Sequence, residues 1–230
     1  MDERNHVIVT IDGPAGAGKS TVARLVARRL SLLYVDSGAM YRAVAWKALK
    51  LGVDIADEAA VTRVAENAHI ELRPDATGTR VFADGEEVTS AIRTPAVSDA
   101  SSRIATVPGV REALVEQQRQ MGRTRGLVME GRDIGTVVFP DTPFKFYLEA
   151  SPRERARRRQ KDLEQAGYQV NIVELEEQVL ERDRRDMARS VGPLKKAADA
   201  MFIDTTDMSI EEVVQTIIAR VETFTKGSGQ

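Results

Sequence analysis

The chain has no cysteine, and only two of its 230 residues are histidine, His6 and His69. The first absence removes disulfides, thiolate metal sites and cysteine nucleophiles together. The second leaves two isolated histidines, which do not make a metal site: His69 is expected on a strand face and His6 as a terminal residue. No apolar run approaches the length of a membrane span, and the opening MDERNH has none of the layout of a signal peptide. Charge of one sign is not in excess either, with 33 basic side chains against 35 acidic ones and no like-charged tail. DNA or RNA is therefore not expected as a partner, although a local pocket can still be strongly basic. Internal repeats and low-complexity segments are also missing. What is left is a soluble, cytoplasmic protein, long enough for one α/β domain with an insertion.

The rest is organised around Val7 to Thr21, VIVTIDGPAGAGKST. Val7 to Ile11 are β-branched throughout, which suits a strand covered on both faces in a parallel sheet. Gly13, Pro14, Ala15, Gly16, Ala17, Gly18, Lys19 and Ser20 then fill the phosphate-loop pattern of glycine, four residues, glycine, lysine and serine. Glycines at 13, 16 and 18 let backbone N–H groups wrap closely around phosphate oxygens. The helix that follows, with Val22, Leu25, Val26 and Leu30 on one face, adds unpaired donors and a positive dipole end. Lys19 suits the β- and γ-phosphates, and the Ser20 hydroxyl suits Mg²⁺. A nucleoside triphosphate is the expected ligand.

Downstream, short apolar strands alternate with helices, the pattern of a parallel sheet with helices on both faces. Strands are expected at 32–35, 126–129, 144–148 and 200–204. Helices are expected at 39–51, 58–67, 108–121, from Ser151-Pro152 onward, at 173–187 and at 210–224. Ser209 and Glu212 form a capping box for the last helix, and Lys226 to Gln230 are expected to fray. Strands at 69–73, 80–83 and 86–88, with turns at Pro74 to Gly78 and Asp84-Gly85, read as a small antiparallel meander. Asp36, Glu130, Arg132 and Asp133 fall just past strand ends, where ligands gather in such sheets. Arg42 is expected in the first turn of its helix, poorly matched to the dipole unless it faces a bound phosphate. Arg153 to Arg159 hold five arginines against Glu154, a run that repels itself without an anion nearby. Two arginine-bearing helices split at Gly167-Tyr168 suggest a hinged lid.

Six segments together carry a family likeness: IDGPAGAGKST (11–21), DSGAMYR (36–42), AIRTPAVSDASS (91–102), VREAL (110–114), GRDIGTVVFPD (131–141) and ERDRRDMAR (181–189). In them the chain resembles bacterial cytidylate kinases, a branch of the nucleoside monophosphate kinases. Glu130 departs from the aspartate common there but keeps the carboxylate. The resemblance implies a five-stranded parallel core over 1–56, 101–150 and 191–230, a monophosphate-binding insert with a small antiparallel sheet at 57–100, and a lid with its following helix at 151–190.

It further implies transfer of the ATP γ-phosphoryl group to CMP or dCMP with Mg²⁺, in a monomer. ATP would lie on residues 13–20 and Thr21. Lys19, Arg132, Arg155, Arg158 and Arg159 would be catalytic, with Arg157 an extra charge. Ser102, Arg111 and Asp133 would read the cytosine ring. Arg42, Arg132 and Arg189 would hold the acceptor phosphate, and Arg182 and Asp186 the sugar, with Ser37 in the same set. Ser20 would ligate Mg²⁺, and Asp36 and Glu130 would reach it through water. A kinase for UMP, AMP or a small metabolite is the alternative within the class. A nucleotide-sensing module without catalysis is the alternative outside it. No Asn-Lys-x-Asp signature of a regulatory GTPase occurs.

Overall fold

The computed structural model describes residues 7–75, 78–165 and 167–227. The readings of MDERNH and His6, of turn residues 76 and 77, and of a frayed end at 228–230 lie outside them. Lys226 and Gly227 continue the last helix, contrary to the expected fray.

Five strands form one parallel sheet in the order β2-β6-β1-β7-β8. They are β1 (Ile8–Asp12), β2 (Leu33–Asp36), β6 (Leu127–Gly131), β7 (Phe144–Glu149) and β8 (Met201–Asp204). Its register runs from Val9 opposite Phe144 to Asp12 opposite Tyr147, and from Phe146 opposite Met201 to Glu149 opposite Asp204. The β-branched run is thus the central strand, with Val9 and Ile11 fully buried. A second, antiparallel sheet of β3 (Ile70–Asp75), β4 (Gly78–Ala83) and β5 (Glu86–Glu87) is the expected meander. Pro74 lies within β3, which takes the place of the expected turn. It is tolerated because β3 is an edge strand and needs no second ladder partner.

The helices are α1 (Lys19–Leu30), α2 (Ser37–Lys50), α3 (Glu58–Glu66), α4 (Pro95–Ile104), α5 (Pro108–Thr124), α6 (Pro152–Gln165), α7 (Ile172–Met187) and α8 (Ile210–Gly227). The chain divides into two compact units, one built on 32–129 and the other on 8–31 with the residues from 130 onward. Met40, Ile92, Ile104, Leu114, Leu127 and Met129 fill the first; Ile11, Ile134, Phe146, Leu148 and Ile217 fill the second.

Three expectations need correction. Asp36 ends β2 and caps α2 directly, accepting from the Ala39 N–H at 2.9 Å. The helix therefore starts at Ser37, and Arg42 falls in its second turn. Glu130 lies inside β6 and not past its end, because the strand runs on to Gly131. Residues 95–104, given no structure from the sequence, form α4, capped by the Thr94 hydroxyl on the Val97 N–H at 3.3 Å with Pro95 in its first turn. The capping box of α8 is as expected: Ser209 Oγ accepts from the Glu212 N–H at 3.2 Å, and Glu212 accepts from the Ser209 N–H at 2.8 Å.

Candidate functional site

In the second unit the loop between β1 and α1 is held by what surrounds it. Gly13 has φ +146°, and a Cβ there would stand 2.0 Å from the Leu148 carbonyl oxygen of β7, so only glycine lets the loop leave β1. Gly18 is left-handed at φ +86° and turns the chain into α1. Two loop carbonyls receive donors from far along the chain. Arg155 Nη1 donates to the Ala15 oxygen at 3.1 Å, and the Thr205 hydroxyl donates to the Ala17 oxygen at 3.2 Å.

Lys19 is buried and donates to the Pro14 oxygen at 2.7 Å. Burial, and then the Arg132 charge, push its ammonium down to about 7, with Arg182 adding and Glu130 and Asp12 opposing. Two arginines and two carboxylates thus act on the lysine, with burial the largest influence.

Arg132, Asp186 and Arg189 form one network. Arg132 Nε donates to Asp186 Oδ2 at 2.8 Å, and Arg189 is paired with Oδ1 of the same carboxylate. Burial would raise Asp186. The charges of Arg132 and Arg189, the Arg132 hydrogen bond and the charge of Arg182 outweigh it and hold the carboxyl below its usual range. The charge of Arg182, on α7, thus acts on a carboxylate that pairs with Arg132 and Arg189, which lie outside the helix. Asp133, the residue after Arg132, is buried just before a π-helical turn at Ile134–Val138.

The arginine-rich helix is less unbalanced than its sequence suggests. Arg155 is buried, holds Asp183 of α7 with both terminal nitrogens at 3.1 and 2.5 Å, and donates Nε to the Ala150 oxygen at 2.9 Å. Glu154 accepts from both Arg157 and Arg158, at 2.8 and 2.9 Å to their Nε atoms. Arg158 also donates to the carbonyl and hydroxyl of Thr205 at 2.6 and 3.2 Å. Arg159 is exposed.

The first unit holds the remaining expected residues. Asp36 Oδ2 accepts from Arg42 at 2.9 Å, and Gly38 leaves room for that pair, since a Cβ there would lie 3.1 Å from Asp36 Oδ1. Ser37 is buried. Arg111, on α5, is buried, donates to the Ala105 carbonyl just after α4 at 3.3 Å, and stands 5.9 Å from the Tyr41 ring centre. Ser102 is half-buried on α4, the helix whose end Arg111 holds.

Hard oxygen donors suited to Mg²⁺ are present. The Ser20 hydroxyl is exposed in the first turn of α1, and the Glu130 carboxylate lies close enough for its charge to act on Lys19. The Asp36 carboxylate is engaged by Ala39 and Arg42. Among the described residues no group of three or more His, Cys, Asp or Glu forms a protein-only metal site.

Sequence reasoning missed Asp12, Asp183 and Thr205. Asp12 offered a signal, as a carboxylate ending an otherwise apolar strand. Asp183 and Thr205 offered none, because their partners lie far along the chain.

The cytidylate kinase family model matches residues 9–223. A cytidylate kinase of Pelotomaculum thermopropionicum is 56% identical over 214 residues, which cover 93% of this chain and 95% of that protein. A bifunctional pantoate ligase/cytidylate kinase of a Synechococcus strain is 49% identical over 225 residues, 96% of this chain and 42% of that longer protein. Among solved structures, an uncharacterized protein from Eubacterium ventriosum matches with a TM-score of 0.54 at 10% identity, over 94% of this chain and 98% of that one. That last likeness is one of fold alone.

Proposed function

The chain belongs to the cytidylate kinase family, and we propose that the residues placed above are the means by which it passes the γ-phosphoryl group of ATP to CMP or dCMP. It is a nucleoside monophosphate kinase, a phosphotransferase. The observation that carries the residue assignment is the placement of Lys19, buried at the end of the 13–20 loop with its ammonium 2.7 Å from the Pro14 oxygen and with Arg132 near enough for its charge to act there. A polyanion in that loop would meet both cations.

The triphosphate lies on residues 13–21, with Lys19 toward the β- and γ-phosphates. Arg42, Arg132 and Arg189 take the acceptor phosphate, a competing anion for guanidinium groups now held by Asp36 and Asp186. Arg182 and Asp186 contact the sugar, and Ser37 belongs to the same set. The chief obstacle is repulsion between two phosphorylated substrates, so the work is charge stabilisation by Lys19, Arg132, Arg155, Arg158 and Arg159. The acceptor is already ionised and needs no strong general base. Ser20 would ligate Mg²⁺ and Asp36 and Glu130 would reach it through water; a cation held there would supply charge neutralisation to the transferring phosphate.

Ser102, Arg111 and Asp133 read the base. Asp133 and Ser102 accept from the exocyclic amino group of cytosine, and Arg111 donates to its acceptors. Uracil sets an oxygen against the carboxylate, a mismatch of about 1–3 kcal/mol. Residues 57–100 form the monophosphate-binding insert and 151–190 the lid and its following helix, closing over ATP. The protein works as a cytoplasmic monomer. Among the described residues no helix is long and apolar enough to cross a membrane.

The test is ADP release from ATP and Mg²⁺ with CMP, dCMP, UMP, AMP or no acceptor. Fast turnover on CMP and dCMP with little on the others is expected. A preference for UMP or AMP overturns the base assignment and leaves the phosphate chemistry. Silence on all acceptors makes the chain a binding module.

A further inference from the structure

The turn that follows β6 is fixed from a different strand. Asp12, the last residue of β1, is 5% exposed, with Oδ1 2.9 Å from the Ile134 nitrogen and Oδ2 2.7 Å from the Gly135 nitrogen. These are the first two amides of the π-helical turn at Ile134–Val138. A helical N-terminus leaves such donors without an internal partner, and the side chain just before it ordinarily supplies the acceptor. Here that residue is Asp133, at φ −146° and ψ 24°, and its carboxylate makes no cap hydrogen bond.

Asp133 instead serves the turn through its backbone. Its carbonyl accepts from the Val137 N–H at 2.8 Å, the Val138 N–H at 3.4 Å and the Thr136 hydroxyl at 3.3 Å. The capping role has passed to Asp12, and Gly135 makes that possible. A Cβ at 135 would lie 2.9 Å from Thr10 Oγ1 and 3.3 Å from Asp12 Oδ2, so a side chain there crowds the carboxylate off the amides.

We infer that Asp12 is a positioning residue for the acceptor nucleotide: by capping the turn from β1 it holds Arg132 and Asp133 in place and relieves the Asp133 carboxylate of capping. This rests on Arg132 and Asp133 contacting CMP as proposed above. Asp12 does not itself touch substrate. Its charge also acts on Lys19, so ATP binding is the control that separates acceptor positioning from a general disturbance of the site.

The experiment uses the full chain with Asp12→Asn, which keeps the side-chain shape but turns an NH₂ group toward a backbone N–H. The KM for CMP is expected to rise about tenfold, and the kcat/KM preference for CMP over UMP to fall by a similar factor. The dissociation constant of MgATP is expected to stay within about threefold. Gly135→Ala keeps the carboxylate but crowds its approach, and is expected to move the same two readouts the same way. Unchanged CMP parameters in folded Asp12→Asn overturn the inference, as does a parallel loss of ATP binding. If Asp12→Asn does not fold, normal CMP parameters in Gly135→Ala overturn it. Asp133→Asn in the same assay separates the two levels. Lost preference there with retained preference in Asp12→Asn sinks only the positioning role, whereas retained preference in Asp133→Asn sinks the base assignment beneath it.

Discussion

Arg155 grips Asp183 with both terminal nitrogens, joining α6 to α7 in a buried pair. The same guanidinium reaches the Ala15 oxygen of the phosphate loop. Removing one member of such a pair strands the other without a partner, at a cost of about 3–5 kcal/mol. Arg155→Met and Asp183→Leu are each expected to lower the unfolding free energy from urea titration by that scale, and the double variant by clearly less than the sum of the two. Additive losses would show that the pair does not act as a unit.

Arg158 is positioned by Thr205 and Glu154, at the edge of the phosphate loop. Arg158→Ala is expected to lower kcat by about a hundredfold or more, the scale of an arginine that stabilises transferring phosphate charge. CMP affinity by calorimetry should change little. A variant with normal turnover rejects the catalytic role.

Asp12 gives the pH dependence a definite sign. Burial lifts it from 3.8 to about 6, against the pull of the Gly135 and Ile134 amides. The folded state therefore binds this proton more tightly than the unfolded state. The stability it contributes is complete below the unfolded value and is lost as pH rises through about 6. About two units at about 1.4 kcal/mol each set the scale at about 3 kcal/mol. In urea titrations, the stability of the native chain relative to Asp12→Asn should fall between about pH 4 and about pH 7 and then level off. A flat difference over that range would contradict the burial of this carboxyl.

Two glycines with positive φ should behave differently. Gly13→Ala drives a methyl group into the Leu148 carbonyl and should cost about 3 kcal/mol or more, with nucleotide binding lost. Gly52, at φ +68° with open space around it, should cost only about 1 kcal/mol on the same change. Thermal melting of the two variants compares them directly. Equal losses would mean that backbone conformation, and not the approach of β7, makes Gly13 necessary.

What could be read from the sequence follows how local the physics is. The phosphate loop and the Ser209–Glu212 box are patterns within a few residues of themselves, and both were legible. Helix α4 was not, because its buried stripe is only Val97, Ala100 and Ile104 in a polar stretch. Thr94-Pro95 was its sole cue. The arginine run of α6 suggested unbalanced charge because Asp183, which takes Arg155, lies 28 residues away. The turn after Asp133 was opaque for the same reason, its cap standing on another strand. The site residues were named by likeness to a family, and the geometry then showed which of them hold one another.

The order of the main sheet bears on how the chain is made. The strand carrying the phosphate loop is central, flanked by β6 and β7, yet it leaves the ribosome long before either. The amides that Asp12 caps lie 122 and 123 residues downstream. At about 5–20 residues per second the nascent strand waits roughly 6–25 s for them, with both edges unpaired and its acidic end still hydrated. The loop after β1 is thus made more than a hundred residues before the amides that fix its neighbourhood, and is among the last segments to acquire its final form. During translation the loop has no finished surroundings to hold its shape until most of these residues have emerged.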